Sequence, residues 1–212
     1  MSPDIDAVIF DFGGVLSSGV GEMMASAMAE FEVPMEVFLP IALGPLDGDG
    51  DHPWHRVERG EITFAECVEG ISALAREAGL ERFPTPPDGD EILRGLRPAD
   101  EMMAAARAVR DAGYRTAILT NNFREVAGWR EVWRADELVD VVIESFEVGM
   151  RKPGREIYEL TLDRLGGVPA ERALFLDDFP WNVAGASAVG LQTMHVTNSA
   201  VSARDLRSLL GV

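Results

Sequence analysis

Apolar residues gather in short, nearly unbroken runs at wide intervals, and between the runs they fall at helical spacing. The runs are "DAVIFDF" (6–12), "RTAILTNN" (115–122), "VDVVIES" (139–145), "RALFLDD" (172–178) and, more weakly, "LQTMHVTN" (191–198). A strand with one wet face alternates apolar and polar positions, so runs without alternation predict strands covered on both faces. "PADEMMAAARAVRDAGY" (98–114) has proline near its start and glycine near its end, the order expected of helix punctuation. "GREIYELTLDRLGG" (154–167) and "WNVAGASAVG" (181–190) also predict helices. Strands alternating with helices predict an α/β fold built on a doubly wound, mostly parallel sheet.

The interval between the first two runs is too long for a simple crossover. Residues 17–95 hold helical patterns in "SGVGEMMASAMAEFEV" and "TFAECVEGISALAREAGL", and loop signals in "GPLDGDGDHP" (44–53) and "FPTPPDGDE" (83–91). They contain no strong strand run. The expectation is a small helical cap inserted after the first strand, over the sheet's first loop, with residues 1–16 and 96–212 forming the core domain. "DGDGD" (47–51) lacks the distal glutamate and ligand spacing of an EF-hand, so it is taken as a solvated acidic turn.

Composition narrows the partners. The chain has 212 residues, 47% hydrophobic and 26% charged, with a formal net charge of −17. Without a basic cluster, nucleic acid and anionic membranes are disfavoured as partners. No segment is apolar for long enough to predict a membrane span, and the N-terminus has no basic region ahead of its apolar stretch. A single cysteine, Cys67, points to a reduced, cytoplasmic setting. A small anionic substrate remains compatible with the charge, because a bound cation reverses the local field. Eighteen of the nineteen basic residues are arginine, and Lys152 is the only lysine. A compact ammonium and a planar guanidinium are not interchangeable in a tight site, which makes Lys152 a candidate functional residue. Oligomeric state is not readable.

In a doubly wound sheet, ligands bind beyond the carboxyl ends of the strands. The ends of these runs carry Asp11, then Thr120 and Asn121, then Asp177 and Asp178, with Lys152 just past the third run in "GMRKPG". Asp11, the Gly13 carbonyl and Asp178 offer hard oxygen ligands suited to Mg²⁺. A strand-end carboxylate can attack phosphorus, while Thr120, backbone amides and Lys152 can neutralise the transferring oxygens. Asp177 can orient Lys152. Asn182 either supports the metal shell or serves as helix-start chemistry, with the plainer role slightly favoured.

The ordered set "FDFGGVL", "ILTNN", "GMRKPGREIY" and "FLDDFPWNVAGASAVG" resembles the haloacid dehalogenase superfamily of hydrolases, whose core is Rossmann-like. Within it, the chain is similar to small phosphatases related to the N-terminal domain of soluble epoxide hydrolase, and "RGEIT" (59–63) fits that group. The resemblance implies a nucleophile at Asp11, Mg²⁺ on Asp11, the Gly13 carbonyl and Asp178, and phosphate contacts at Thr120, Asn121 and Lys152, with Asp177 as the lysine's partner. It implies a phosphatase for a small phosphorylated metabolite, acting through an aspartyl-phosphate. Gly13 departs from the family pattern, which places there an aspartate that protonates the leaving group. General acid–base catalysis is worth about 10²–10⁴-fold, so a slow or re-routed enzyme is expected. His52, His55 and Glu61 are candidate cap contacts for such a route, against the plainer reading of "DHPWH" (51–55) as a polar loop with Trp54 packed on the cap. Two alternatives are a metal-independent 2-haloacid dehalogenase, which the acidic pair disfavours, and a non-catalytic binding or regulatory protein on this fold. A phosphonatase is disfavoured because residues 17–95 hold no lysine. The glycines after the first strand do not form the G-x-G-x-x-G of a dinucleotide site.

Overall fold

A computed structural model describes residues 4–18, 20–84, 86–126 and 128–212. The chain enters the sheet at once with β1 (Ala7–Phe10) and adds a two-residue strand, β2 (Ser17–Ser18). Five helices follow: α1 (Val20–Phe31), α2 (Met35–Ala42), α3 (Pro53–Glu58), α4 (Phe64–Glu77) and α5 (Gly89–Gly95). A short β3 (Arg97–Pro98) pairs antiparallel with β2, so the inserted helices leave and re-enter the core at one place. Then come α6 (Asp100–Asp111), β4 (Arg115–Thr120), α7 (Trp129–Val132), α8 (Ala135–Leu138), β5 (Val141–Glu144), α9 (Ser145–Val148) and α10 (Arg155–Arg164). The chain ends with β6 (Ala173–Asp177), α11 (Pro180–Val189), β7 (Gln192–His195) and α12 (Ser199–Leu210).

The main sheet has the order β5-β4-β1-β6-β7, and every recorded pairing in it is parallel. All four residues of β1 are fully buried. Val8 and Phe10 face one apolar layer with residues of α6 and α12, while Ala7 and Ile9 face the other with residues of α10. This two-sided cover is why the strand runs lack alternation. Each Val, Ile or Phe side chain so buried contributes about 1.5–3 kcal/mol.

The inserted helices are set by local chemistry. A reciprocal cap starts α4: the Thr63 hydroxyl accepts from the Glu66 amide at 3.3 Å, and the Glu66 carboxylate accepts from the Thr63 amide at 2.8 Å. Asp88 and Glu91 do the same for α5. The segment "DHPWH", expected to be a polar loop, instead starts α3, with the His52 ring accepting from the Trp54 amide and Pro53 in the first turn, where a missing N–H costs nothing. Val57, Phe64, Cys67 and Ile71 of the insert form one apolar cluster with Phe123 and Val126 beyond β4. Phe123 stacks on Phe64 at 4.8 Å and meets Trp54 edge-on at 5.9 Å. Among the described residues, no helix is long and apolar enough to cross a membrane.

Candidate active site

The sheet register brings the candidate residues together. Phe10 lies opposite Ile118 on one side and Leu176 on the other. Asp11 therefore emerges between the end of β4, where Thr120 closes the strand and Asn121 follows it, and the end of β6, where Asp177 closes the strand and Asp178 follows it. This is where the chain switches direction across the sheet, the usual crevice of such folds.

Lys152 is the hub. Its side chain is 1% exposed, and Nζ lies 2.8 Å from Asp11 Oδ1 and 2.7 Å from Asp177 Oδ2. Burial disfavours the ammonium, but Asp11 and Asp177 outweigh it and push Lys152 up to about 12. The Phe12 amide also donates to Asp11 Oδ1, at 2.7 Å. Among the described residues, Asp11 Oδ2 receives no hydrogen bond. Asn182 Nδ2 donates to both oxygens of Asp177 at 3.1 Å, and the Phe179 amide donates to Asp177 Oδ1 at 2.8 Å. Asn182 thus orients the lysine's partner, through a contact more specific than a helix start.

One carboxylate oxygen each from Asp11, Asp177 and Asp178 lie within 4.8 Å of one another. Burial raises the pKa of Asp11, with Lys152 opposing and the two neighbouring carboxylates adding to it. Burial, then Asp177, push Asp178 up to about 7. Asp178 Oδ1 is buried with no hydrogen-bond partner among the described residues. Gly14 has φ +77°, and a Cβ there would collide with the Asp178 carboxylate. An orphaned oxygen, a second carboxylate close by and a turn stripped of side chain fit a hard divalent cation between Asp11 and Asp178.

Thr120 is buried and its hydroxyl donates to the Asn121 carbonyl at 3.4 Å. The Asn121 side chain accepts from the Lys152 amide at 2.9 Å and donates to the Lys152 carbonyl at 3.0 Å. Gly13 is half-buried and bridges to Ser17. His55 is fully buried, 3.6 Å from Asp49. His52 caps α3, and Glu61 pairs with Arg56 and Arg59 rather than with the lysine cluster.

Several supporting residues carry no local sequence signal. Arg151 and Glu58 form a buried ion pair at 2.6 Å. Glu144 Oε2 accepts from Trp129 Nε1 at 2.7 Å and from Asn122 Nδ2 at 2.9 Å, while the Ser145 hydroxyl accepts from the Asn122 amide. His195 Nε2 lies 2.9 Å from the Asp178 carbonyl. Lys152 stood out by composition, and Arg151 could have been singled out by adjacency to it. The others become visible only once distant strands are side by side.

This fold and site place the chain among the haloacid dehalogenase-like hydrolases, to which it belongs: the model of that family matches residues 5–190. The bifunctional epoxide hydrolase 2 of Sus scrofa is 32% identical over 220 residues, covering 97% of this chain and 39% of that protein. The sesquiterpene phosphatase astK of Aspergillus oryzae is 28% identical over 215 residues, covering 100% of both. A HAD-like family hydrolase structure from Porphyromonas gingivalis has a TM-score of 0.69 at 24% identity, covering 98% of each chain. The chain spans less than half the length of the first curated relatives it matches.

Proposed function

We propose that the chain is a Mg²⁺-dependent phosphomonoesterase acting on a small phosphorylated metabolite. The observation that carries this reading is the lysine bridge: one buried ammonium between Asp11 and Asp177, with Asp178 beside it, its Oδ1 unpartnered among the described residues. In this reading Asp11 attacks phosphorus through Oδ2, the oxygen that carries no donor. The P–O bond to the leaving alcohol breaks and an aspartyl-phosphate forms. Water then cleaves that acyl phosphate, releasing phosphate and restoring Asp11. Lys152 and the Thr120 hydroxyl neutralise charge on the phosphoryl oxygens, and Asn121 holds the lysine's backbone. Mg²⁺, held by Asp11, Asp178 and the Gly13 carbonyl, would offset the crowded carboxylates and polarise a phosphoryl oxygen. Gly13 has no side chain to protonate the departing oxygen, and His52, His55 and Glu61 are engaged within the insert, so the substrate itself or solvent fills that role at reduced rate. The helices of residues 17–95 act as the cap over a core of residues 1–16 and 96–212. The end-to-end match to a relative named as a phosphatase supports the reaction class.

A phosphoester panel with Mg²⁺ tests this reading. Release of inorganic phosphate that is abolished by chelator and by Asp11→Asn is the expected result. Chelator-insensitive halide release from 2-haloacids would favour the dehalogenase alternative. Binding of beryllofluoride without turnover of any phosphoester would favour the non-catalytic one.

A further inference from the structure

Glu58 closes α3 of the inserted segment, is 6% exposed, and is used in no step above. Its oxygens meet three donors: Arg151 Nε at 2.6 Å and Asn121 Nδ2 at 3.3 Å on Oε2, and Trp54 Nε1 at 2.9 Å on Oε1. Burial raises the pKa of Glu58, while Arg151, Trp54 and Lys152 oppose it; every hydrogen-bond partner donates, so the contacts favour the carboxylate form. With its oxygens turned to these three donors, Glu58 is placed to hold them rather than to meet a departing oxygen.

Its partners suggest another role. Asn121 clasps the backbone of Lys152 on both sides, through the amide and the carbonyl. Arg151 is the residue before Lys152, and its Nη1 also donates to the Gly48 carbonyl of the insert at 3.1 Å. Gly60, just past α3, has φ +68° and lies so close to α9 that a Cβ would sit 2.6 Å from the Phe146 carbonyl oxygen. The end of α3 is thus seated directly on the loops that carry the lysine.

We propose that Glu58 is a positioning residue: by holding Asn121 and Arg151 together, it sets Lys152 between Asp11 and Asp177 while α3 is seated on the sheet edge. The catalytic consequence rests on the phosphoryl-transfer reading; the coupling between insert and lysine does not.

Glu58→Gln keeps the size and one acceptor but faces Arg151 with a neutral amide. Hydrogen exchange of the Lys152 amide, which donates to Asn121, is expected to quicken about tenfold or more as local opening becomes easier. Affinity for Mg²⁺ with beryllofluoride is expected to fall about 10–100-fold, the usual cost of losing a group that orients site residues. Where turnover is measured, kcat falls with KM little changed, and the basic limb of the pH profile stays in place, whereas loss of a general acid would remove that limb. Glu58→Gln with Arg151→Met leaves neither charge buried alone. That pair is expected to recover the melting temperature without recovering beryllofluoride affinity. Recovery of both, or unchanged exchange and affinity in Glu58→Gln, overturns the positioning role. A wild type that binds no beryllofluoride overturns the phosphoryl-transfer reading instead, and the exchange measurement still decides the positioning.

Discussion

Lys152 shows how much one buried charge can organise. It balances Asp11 and Asp177 together, its side chain is buried, and the centre of the Phe175 ring lies 5.5 Å from Nζ. Removing one partner of a buried ionic set typically costs about 3–5 kcal/mol, because the remaining charge is left uncompensated. Lys152→Met is therefore expected to lower the urea midpoint strongly at neutral pH and to abolish phosphate release. Lys152→Arg retains the charge and should unfold later than Lys152→Met. It should not restore turnover, because a planar guanidinium cannot reach both carboxylate oxygens from the same point. Equal turnover in Lys152→Arg and wild type would remove the requirement for a compact ammonium. The same residue explains what the sequence revealed of the site. A lone lysine among eighteen arginines is visible without a structure. Glu58 is not, since its ion pair with Arg151 spans 93 positions and nothing in "WHRVERG" distinguishes it from a surface carboxylate.

Among the elements, legibility followed burial geometry. β1, β4, β5 and β6 lie within the predicted runs because two-sided burial demands continuous apolar residues. α3 was missed because six residues are too few to show a period, and three of them are His, Arg and Glu. Its hold comes from tertiary contacts, among them a histidine that must stay neutral. His55 is fully buried, and burial first, then Arg151 and His52, lower it to about 4, against smaller opposing effects of Asp49 and the Leu43 carbonyl. The folded state therefore binds this proton less well than the unfolded chain. The contribution is whole above about pH 6.5 and is lost as pH falls toward 4. At about 1.4 kcal/mol per unit, the window carries on the order of 3–4 kcal/mol. His55→Phe is expected to flatten the fall in stability between pH 6.5 and 4.5 in urea titrations. His52, also lowered by burial, leaves a residual slope. A slope unchanged in His55→Phe would place the acid sensitivity elsewhere.

At the scale of the whole molecule, function and stability pull against each other at the sheet edge. The chain carries a net charge of −17, and three carboxylates crowd together at Asp11, Asp177 and Asp178, where Lys152 pairs with only the first two. Asp178 is raised to about 7 by burial and Asp177, above its unfolded value near 3.8, so the metal-free folded state holds this proton more tightly than the unfolded chain. Metal-free stability should then fall as pH rises from about 4 to 7, the opposite sign to the histidine. Asp178→Asn removes the buried charge and is expected to raise the melting temperature of the metal-free protein at pH 8, about 2–4 °C per kcal/mol at this chain length. Wild type should gain what the variant cannot. Mg²⁺ at a hundredfold its dissociation constant stabilises a folded state that binds it by about 2.7 kcal/mol. Titrating Mg²⁺ against NaCl at matched ionic strength separates site binding from screening of a strongly acidic surface. The expected result is a Mg²⁺-specific rise in wild type and only the shared screening rise in Asp178→Asn. Equal Mg²⁺ gains in both would move the cation away from Asp178, and the orphaned Oδ1 would then need another partner. The expected pair of results would instead mean that the acidic edge is kept at a cost to the metal-free fold, because a cation is meant to sit there.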